Sequence, residues 1–299
     1  MKKYILFVLL VVLLGVSFVF REDLYKLYLN YTEPKEVTLG EQNNYARDDS
    51  FDFVQLTADF EPENRQDLLN IYYTVLNAGK EEFQFYCPET YETCIEEVSN
   101  IANDQELLSS INNFVHPFNS FSHLETTYDT TGKVEITIEH TYSDQEKELL
   151  RAKVDSIEQE IWQDTMTTEE KIKAAHDYII NHSQYDVARS DHNIIEYQSD
   201  TAYGPLLQGY SLCGGYTDAM ALFLNDLQLK NYKIASDSHI WNGVYLNNEW
   251  LHLDLTWDDP ITSDGSNLLE YRFFLISTDT LKFLEPQQHI YDETIYQEM

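Results

Sequence analysis

The stretch SHIWNGVYLNNEWLHLDLTWDDP, residues 238–260, constrains the fold more than any other part of the sequence. It contains two runs in which apolar and polar residues alternate, as they do along half-buried strands. The runs meet at Asn247 and Asn248, a pair that tolerates the positive φ angles of a two-residue hairpin loop. A loop of this length fixes the strand pairing and places Trp241 opposite Asp254. The sequence therefore predicts an antiparallel hairpin of defined register.

That register divides the hairpin into two faces of different character. One face is aliphatic and typical of a core; it carries Ile240, Val244, Leu246, Leu251, Leu253 and Leu255. The other is aromatic and titratable, as a site face would be; it carries His239, Trp241, Tyr245, Trp250, His252, Asp254 and Thr256. A slip of one residue would mix the two sets, so the pattern itself supports the register. His239 and Asp254 become diagonal neighbours whose side chains can meet.

Cys213 lies at or just before the start of a predicted helix, upstream of the hairpin. The following run GYTDAMALFLNDLQL has an apolar stripe at helical spacing. The unpaired N–H groups and the positive dipole end of a helix start stabilise an anion such as a thiolate. Gly214 and Gly215 are expected to permit a sharp entry into the helix and to leave room for a substrate backbone. The competing interpretation of Cys213 is a buried structural cysteine.

These residues suggest a site for nucleophilic catalysis. In this hypothesis the Cys213 thiolate attacks a carbonyl carbon, and His239 acts first as the base and then as the acid. Asp254 holds the imidazole in the required tautomer. Backbone N–H groups at the helix start would stabilise the oxyanion, assisted by the side chain of either Gln208 or Trp241.

Two segments, TAYGPLLQGYSLCGGYTDAMALFL and SHIWNGVYLNNEWLHLDLTWDDP, resemble the transglutaminase-like superfamily. They are similar to the Cys-Gly-Tyr, His-x-Trp-Asn and Asp-x-Thr-Trp-Asp-Asp-Pro elements of its bacterial branch. The resemblance covers roughly residues 165–280 and includes the upstream helix AHDYIINHSQYD. It implies a papain-like fold, in which a helix bearing the nucleophile packs on an antiparallel sheet bearing His and Asp. It also implies that Cys213, His239 and Asp254 occupy the three catalytic positions.

The resemblance also bears on the remaining candidate residues. It places the base in His-x-Trp, so His252, which shares a face with Asp254, is given a supporting role. Gln208 lies in a variable-looking loop and departs from a clear family oxyanion position. Tyr203, in the same upstream segment, is a further substrate-binding candidate.

Other polar residues are interpreted as structural. His176 and His182 are expected at a helix surface or the edge of a core, and Asp258-Asp259-Pro260 reads as a turn that ends a strand. The nine histidines show no pair at metal-ligand spacing with Cys or Glu partners. We therefore expect no bound metal and no cofactor.

Residues 4–20 form an uncharged apolar run that follows Lys2 and Lys3. At about 1.5 Å per residue this run nearly spans a hydrocarbon layer of ~30 Å. The two lysines favour a cytoplasmic N-terminus. We expect an uncleaved membrane anchor with the following domain outside the cell; cleavage near Gly15-Val16-Ser17 would instead give a secreted protein.

An exported chain can hold disulfides, which raises the question of how Cys87 and Cys94 are used. If both lie on one helix, they are too far apart along its axis to pair. Pro88 suggests that a helix begins there and leaves Cys87 just outside it. Pairing and free thiols both remain open, and Cys213 is the odd cysteine in either case.

The organisation predicted along the chain is α+β. Residues 1–21 are the anchor or signal segment, 22–50 a linker, 51–160 an α+β region of unknown role, and 161–299 the transglutaminase-like domain. Within these ranges the patterns predict a strand over residues 51–60, a helix over 63–80, a hairpin over 123–142, and two long helices, the second with a capping box at Thr167 and Glu170.

Composition excludes some partners and leaves the reaction open. The formal charge of −33 disfavours nucleic acid, because phosphate backbones repel an acidic chain. We expect a protein or peptide substrate, with the cell wall as one candidate source. The first hypothesis is an acyl-transfer enzyme, either a peptidase or amidase or an amine cross-linker, with hydrolysis favoured. The alternative is a non-catalytic scaffold or ligand-binding module at the cell surface.

Overall fold

The computed structural model describes residues 15–32, 37–261, 268–285 and 287–299 as an α+β structure. Its helices are α1 (Arg21–Thr32), α2 (Arg65–Asn77), α3 (Cys94–Asn103), α4 (Gln105–Asn112), α5 (Asp144–Ile161), α6 (Thr168–His182), α7 (Val187–His192), α8 (Cys213–Asp226), α9 (Leu255–Asp258) and α10 (Thr278–Leu284). Its strands are β1 (Glu82–Tyr86), β2 (Phe121–Tyr128), β3 (Lys133–His140), β4 (Gln184–Tyr185), β5 (Tyr210–Ser211), β6 (Asn231–Ala235), β7 (Ile240–Leu246) and β8 (Glu249–Leu253).

An antiparallel sheet of order β1-β3-β2 organises the N-terminal half of the chain. The predicted hairpin is confirmed as β2 and β3, and the predicted helix is confirmed as α2, whose N-cap Asn64 forms a capping box with Asp67. The strand predicted over residues 51–60 is wrong. Phe51, Val54 and Phe60 insert into the core, but backbone N–H groups in this segment bond to side chains rather than to a neighbouring strand.

The linker predicted over residues 22–50 also needs correction. Arg21–Thr32 is helical, and residues 37–50 pack against the folded chain. The buried Arg47 guanidinium donates to the carbonyls of Phe114 and Asn231, at 3.3 and 2.8 Å. A segment anchored from two distant parts of the chain is part of the fold rather than a spacer.

A second antiparallel sheet, of order β6-β7-β8, supports the site. The predicted register is confirmed: Leu246 pairs with Glu249, and Tyr245 pairs with Trp250. Asn247 and Asn248 have φ angles of +54° and +67°, as the two-residue loop requires. Helix α8 packs on β6 and β7, so the helix-on-sheet arrangement is also confirmed.

The second strand of this hairpin is shorter than predicted. β8 ends at Leu253, and Asp254 caps the short helix α9 by accepting hydrogen bonds from the N–H groups of Thr256 and Trp257. Aspartate favours such an N-cap because its side chain satisfies otherwise unpaired helix donors. The Asp-Asp-Pro run is therefore the end of a helical turn, not a simple strand end.

Two clusters of buried hydrophobic residues form the core, and residues from both sides of position 160 contribute to each. The first cluster joins the N-terminal sheet to Trp241, Phe273 and Tyr296. The second lies between α5, α6 and α8. As a result the part of the aromatic face away from the turn is covered: Trp241 is 1% exposed and His252 is fully buried, whereas Tyr245 near the turn stays exposed.

The pairing of Cys87 and Cys94, left open by the sequence, is decided at the start of α3. Cys87 and Cys94 form a disulfide, with Cys87 before the helix and Cys94 as its first residue. Among the described residues no helix is both long enough and apolar enough to cross a membrane. The predicted anchor, residues 4–20, lies outside the described residues up to position 14.

Candidate active site

Cys213 is the first residue of α8 and a free, half-buried thiol. The preceding Leu212 is extended and donates its N–H to the carbonyl of Ser199 at 2.8 Å. The first N–H groups of a helix have no partner within it. The sulfur therefore lies beside backbone donors at the positive end of the helix dipole.

The two glycines after Cys213 have a different use from the one expected. A Cβ at Gly214 would lie 2.6 Å from the carbonyl oxygen of Asp200, and one at Gly215 would lie 2.3 Å from that of Ser199. These gaps are below any normal contact. The space that was predicted for a substrate backbone is filled by the chain's own backbone.

His239 and Asp254 form a short, buried hydrogen bond. Nε2 of His239 lies 2.6 Å from Oδ2 of Asp254, and the carboxylate's other oxygen accepts the two N–H groups of Thr256 and Trp257. Burial alone would raise the pKa of Asp254, but the charge and hydrogen bond of His239 hold it far below its usual range. Asp254 is thus a fixed anion behind the imidazole.

His239 also interacts with Cys213, through a hydrogen bond and through charge. Burial opposes protonation of the ring, yet Asp254, by charge and hydrogen bond, and the hydrogen bond and charge of Cys213 together raise its pKa to about 10. An imidazole with this pKa is cationic at neutral pH. The structure therefore brings the three residues predicted for catalysis into one chain of contacts, from sulfur to imidazole to carboxylate.

Trp241 and His252 lie behind the imidazole. The indole stacks on His239, with 5.6 Å between ring centroids, and its N–H donates to Nδ1 of His252 at 2.9 Å. The indole N–H of Trp241 is therefore already engaged in this arrangement and is not free for the predicted oxyanion role. The indole instead packs the imidazole in place.

His252 does not compete with His239 as a base. Its Nδ1 accepts from Trp241, and its Nε2 lies 3.1 Å from Oγ1 of Thr278. Burial, followed by the charge of His289, lowers its pKa to about 3. A neutral ring with a hydrogen bond at each nitrogen is consistent with the supporting position predicted for His252.

The two upstream candidates lie around a π-helical turn, Gly204–Gln208. Oε1 of Gln208 accepts from the N–H of Gln198 at 2.8 Å, which leaves its amide N–H₂ as the donor for the predicted oxyanion role. Tyr203 is half-buried and packs against the second core cluster. Both roles remain predictions.

Two residues near the site carried no signal in the sequence. Tyr185, in β4, has a pKa raised by burial and also by the charge of Cys213. His289 donates to the same Asp254 oxygen as His239, at 2.8 Å, across a separation of 35 residues. No spacing rule connects such a residue to a hairpin, since its position depends on how the C-terminal segment packs.

The same cluster contains the residues best placed to hold a metal ion. Among the described residues, His239, Asp254 and His289 bring three ligand atoms within 4.8 Å of one another. Hydrogen bonds from both imidazoles to one carboxylate oxygen already account for this closeness.

Comparisons with other proteins give partial structural similarities. No protein-family model matches the chain, and no curated protein matches it in sequence. A solved structure described as a TGase is similar over 49% of this chain and 48% of its own, with 16% identity and a TM-score of 0.32. A Cytophaga hutchinsonii protein described as a candidate cysteine protease is similar over 49% of this chain and 65% of its own, with 10% identity and a TM-score of 0.28.

This chain therefore spans about half to two thirds of each structure that it resembles.

Proposed function

We propose that the protein is a transglutaminase-like cysteine enzyme that acts on amide bonds through an acyl-thioester intermediate. The observation that carries the proposal is the continuous chain of contacts from Cys213 through His239 to Asp254. A structural cysteine needs neither a helix start nor a buried imidazole–carboxylate pair beside it.

The charges support a nucleophile that is ready before substrate binds. An imidazolium beside the sulfur favours the thiolate, which is the reactive form of cysteine. Asp254 keeps the ring oriented and compensates its charge within the buried site. The N–H groups at the start of α8 are positioned to bind a developing oxyanion.

The reaction follows from these groups. The thiolate attacks the carbonyl carbon, the C–N bond breaks, and His239 gives its proton to the departing amine. Water or an amine, deprotonated by His239, then attacks the thioester and releases the thiolate. We favour water as the acceptor, since hydrolysis needs no second binding site for an amine; a peptidase or amidase results.

The proposed setting is outside the cytoplasm, attached to the membrane through residues 4–20 or secreted after their cleavage. The Cys87–Cys94 disulfide supports an oxidising compartment. The proposed substrate is a protein or peptide, including peptides of the cell wall. Non-reducing peptide mapping of the protein from its native host tests the compartment: two free thiols at these positions would argue against export.

The decisive experiment compares wild type with Cys213→Ala and Cys213→Ser on a panel of peptide amides, with and without a primary amine. We expect both variants to lose at least ~1,000-fold in turnover, because removal of a nucleophile leaves only binding and oxyanion stabilisation. Products that contain the amine would identify transfer rather than hydrolysis. Melting temperatures should stay close to that of wild type.

If Cys213→Ala retains the biological phenotype and no probe is turned over, the chain is instead the non-catalytic scaffold. A matched control is Cys94→Ala, which removes a cysteine that pairs with Cys87 rather than with the site residues and should preserve turnover.

A further inference from the structure

His289 enters the site from the segment that follows α10. Its Nε2 lies 2.8 Å from Oδ2 of Asp254, and the same oxygen lies 2.6 Å from Nε2 of His239. The His289 side chain is buried, at 4% exposure for the residue. A carboxylate oxygen has two acceptor lone pairs, so Oδ2 can accept from both rings at once. With the two backbone donors on Oδ1, the carboxylate is fully satisfied.

Aromatic rings fix the plane of His289. Phe273 stacks on it, with centroids 5.4 Å apart and an interplanar angle of 11°. Trp241 and Trp257 pack against it, with centroids at 4.7 and 5.5 Å. The imidazole therefore has little freedom to turn away from Asp254.

Glu285 lies behind the ring. Its Oε2 is 3.5 Å from Nδ1 of His289 and accepts the N–H groups of Gln287 and Gln288, at 3.0 and 2.5 Å. These backbone bonds hold the carboxylate where it faces His289. The ring of His289 therefore lies between two carboxylates, with Nδ1 toward Glu285 and Nε2 toward Asp254.

We propose that His289, backed by Glu285, is a positioning residue for the reaction of Cys213, and that it acts by holding Oδ2 of Asp254 in place beneath His239. The inference rests on the proposed function. It adds His289 and Glu285 to the three side chains of the proposed site, Cys213, His239 and Asp254.

The expected consequence of losing His289 follows from burial. Without its N–H, Oδ2 has an unfilled acceptor site away from water, and the carboxylate is held by one ring instead of two. A less constrained Asp254 supports the thiolate–imidazolium pair less well. Three titratable groups contact the His289 ring directly: Asp254, His239 and Glu285. His252 interacts with His289 through charge, and Lys282 in turn interacts with His252 through charge.

The test measures the rate of Cys213 alkylation by iodoacetamide as a function of pH, which needs no substrate. The disulfide keeps the other two cysteines out of the reaction. His289→Phe keeps an aromatic ring but removes the donor, and His289→Gln retains an amide donor. We expect His289→Phe to lower the rate at about pH 6 by roughly tenfold, with the acid limb moved up by about one unit.

His289→Gln should recover most of that loss, and Glu285→Gln should fall between wild type and His289→Phe. A merely structural role would lower the melting temperature of these variants without moving the pH profile. The matched control is His116→Gln, a buried histidine whose partners are Phe118 and Tyr45 rather than Asp254. It should destabilise the protein and leave the profile unchanged.

The possible failures are distinguishable. If wild-type Cys213 reacts as an ordinary thiol, with a pKa of about 8.5, the proposed function fails. If wild type reacts at low pH and folded His289→Phe does so equally, the positioning role alone is overturned. A change of the wild-type profile on adding EDTA would also overturn it, since the cluster would then hold a metal ion.

Discussion

Two of the buried histidines that meet aspartate side chains, His239 and His176, differ in one respect: only His239 lies beside a thiol. His239 joins Asp254 to Cys213. His176, in α6, is fully buried with Nδ1 at 3.0 Å from Asp177 and Nε2 at 3.2 Å from Asp258. Burial opposes its protonation, but these carboxylates raise its pKa.

The difference lies in what each ring leaves free. Both nitrogens of His176 are used by carboxylates, and Tyr271 and Phe274 pack on its ring. It therefore joins α6 to the end of α9 and has no nitrogen left to move a proton. His239 bonds to Asp254 through Nε2 and also interacts with the sulfur of Cys213. A buried histidine–aspartate pair becomes a candidate site only when it also faces a nucleophile.

The largest expected difference between the His239 and His176 groups is in thiol reactivity. His239→Asn removes the cation beside Cys213, so its alkylation rate at about pH 6 should fall by roughly 100-fold, toward that of an ordinary thiol. His176→Asn should leave the rate within about twofold of wild type. The measurement is the pseudo-first-order loss of free thiol, followed by mass spectrometry. Equal losses in both variants would show that His239 affects the thiol no more directly than His176 does.

The next effect is on stability and concerns His176 and its aspartate partners. Asp258→Ala leaves His176 with one carboxylate partner in a fully buried position and also removes the acceptor of the Phe273 N–H. Breaking a buried pair in this way typically costs about 3 kcal/mol of unfolding free energy. Urea titration measures the loss. The thiol reactivity of the folded variant should match that of wild type. A shifted pH profile of alkylation would mean that His176 and His239 are coupled.

The smallest effect is the pH dependence of stability in alkali. A histidine whose pKa rises on folding contributes stability that is fully present below its unfolded value of about 6.5 and is lost as the pH rises through its folded value. For His239 the folded value is about 10. Between about pH 7 and pH 8.5, wild type should lose about 2 kcal/mol of unfolding free energy.

His239→Asn should start from a lower stability at neutral pH and show a flatter curve over the same range. Chemical denaturation at each pH provides the comparison. If the curves for wild type and His239→Asn are parallel, the charged His239–Asp254 pair is not the source of the alkaline slope.

Tertiary contacts corrected several expectations that were based on local pattern. His176 was expected at a surface or core edge and is fully buried, whereas His182, on the same helix, is exposed and stacks on Tyr178. The helical period shows that these residues recur on a helix but not what covers each face. The packing of residues 37–50 is likewise invisible locally, because Arg47 finds its carbonyl partners far along the chain.

The sequence by itself determined the hairpin register, the helix that begins at Cys213, and the meeting of His239 with Asp254. Each depends on a short-range rule: alternation along a strand, the length of a turn, or the start of an apolar stripe. The tertiary structure alone decided that His289 shares the Asp254 oxygen and that His176 bonds to Asp258, 82 residues away. Such contacts depend on how whole elements pack against one another, and no local periodicity encodes that arrangement.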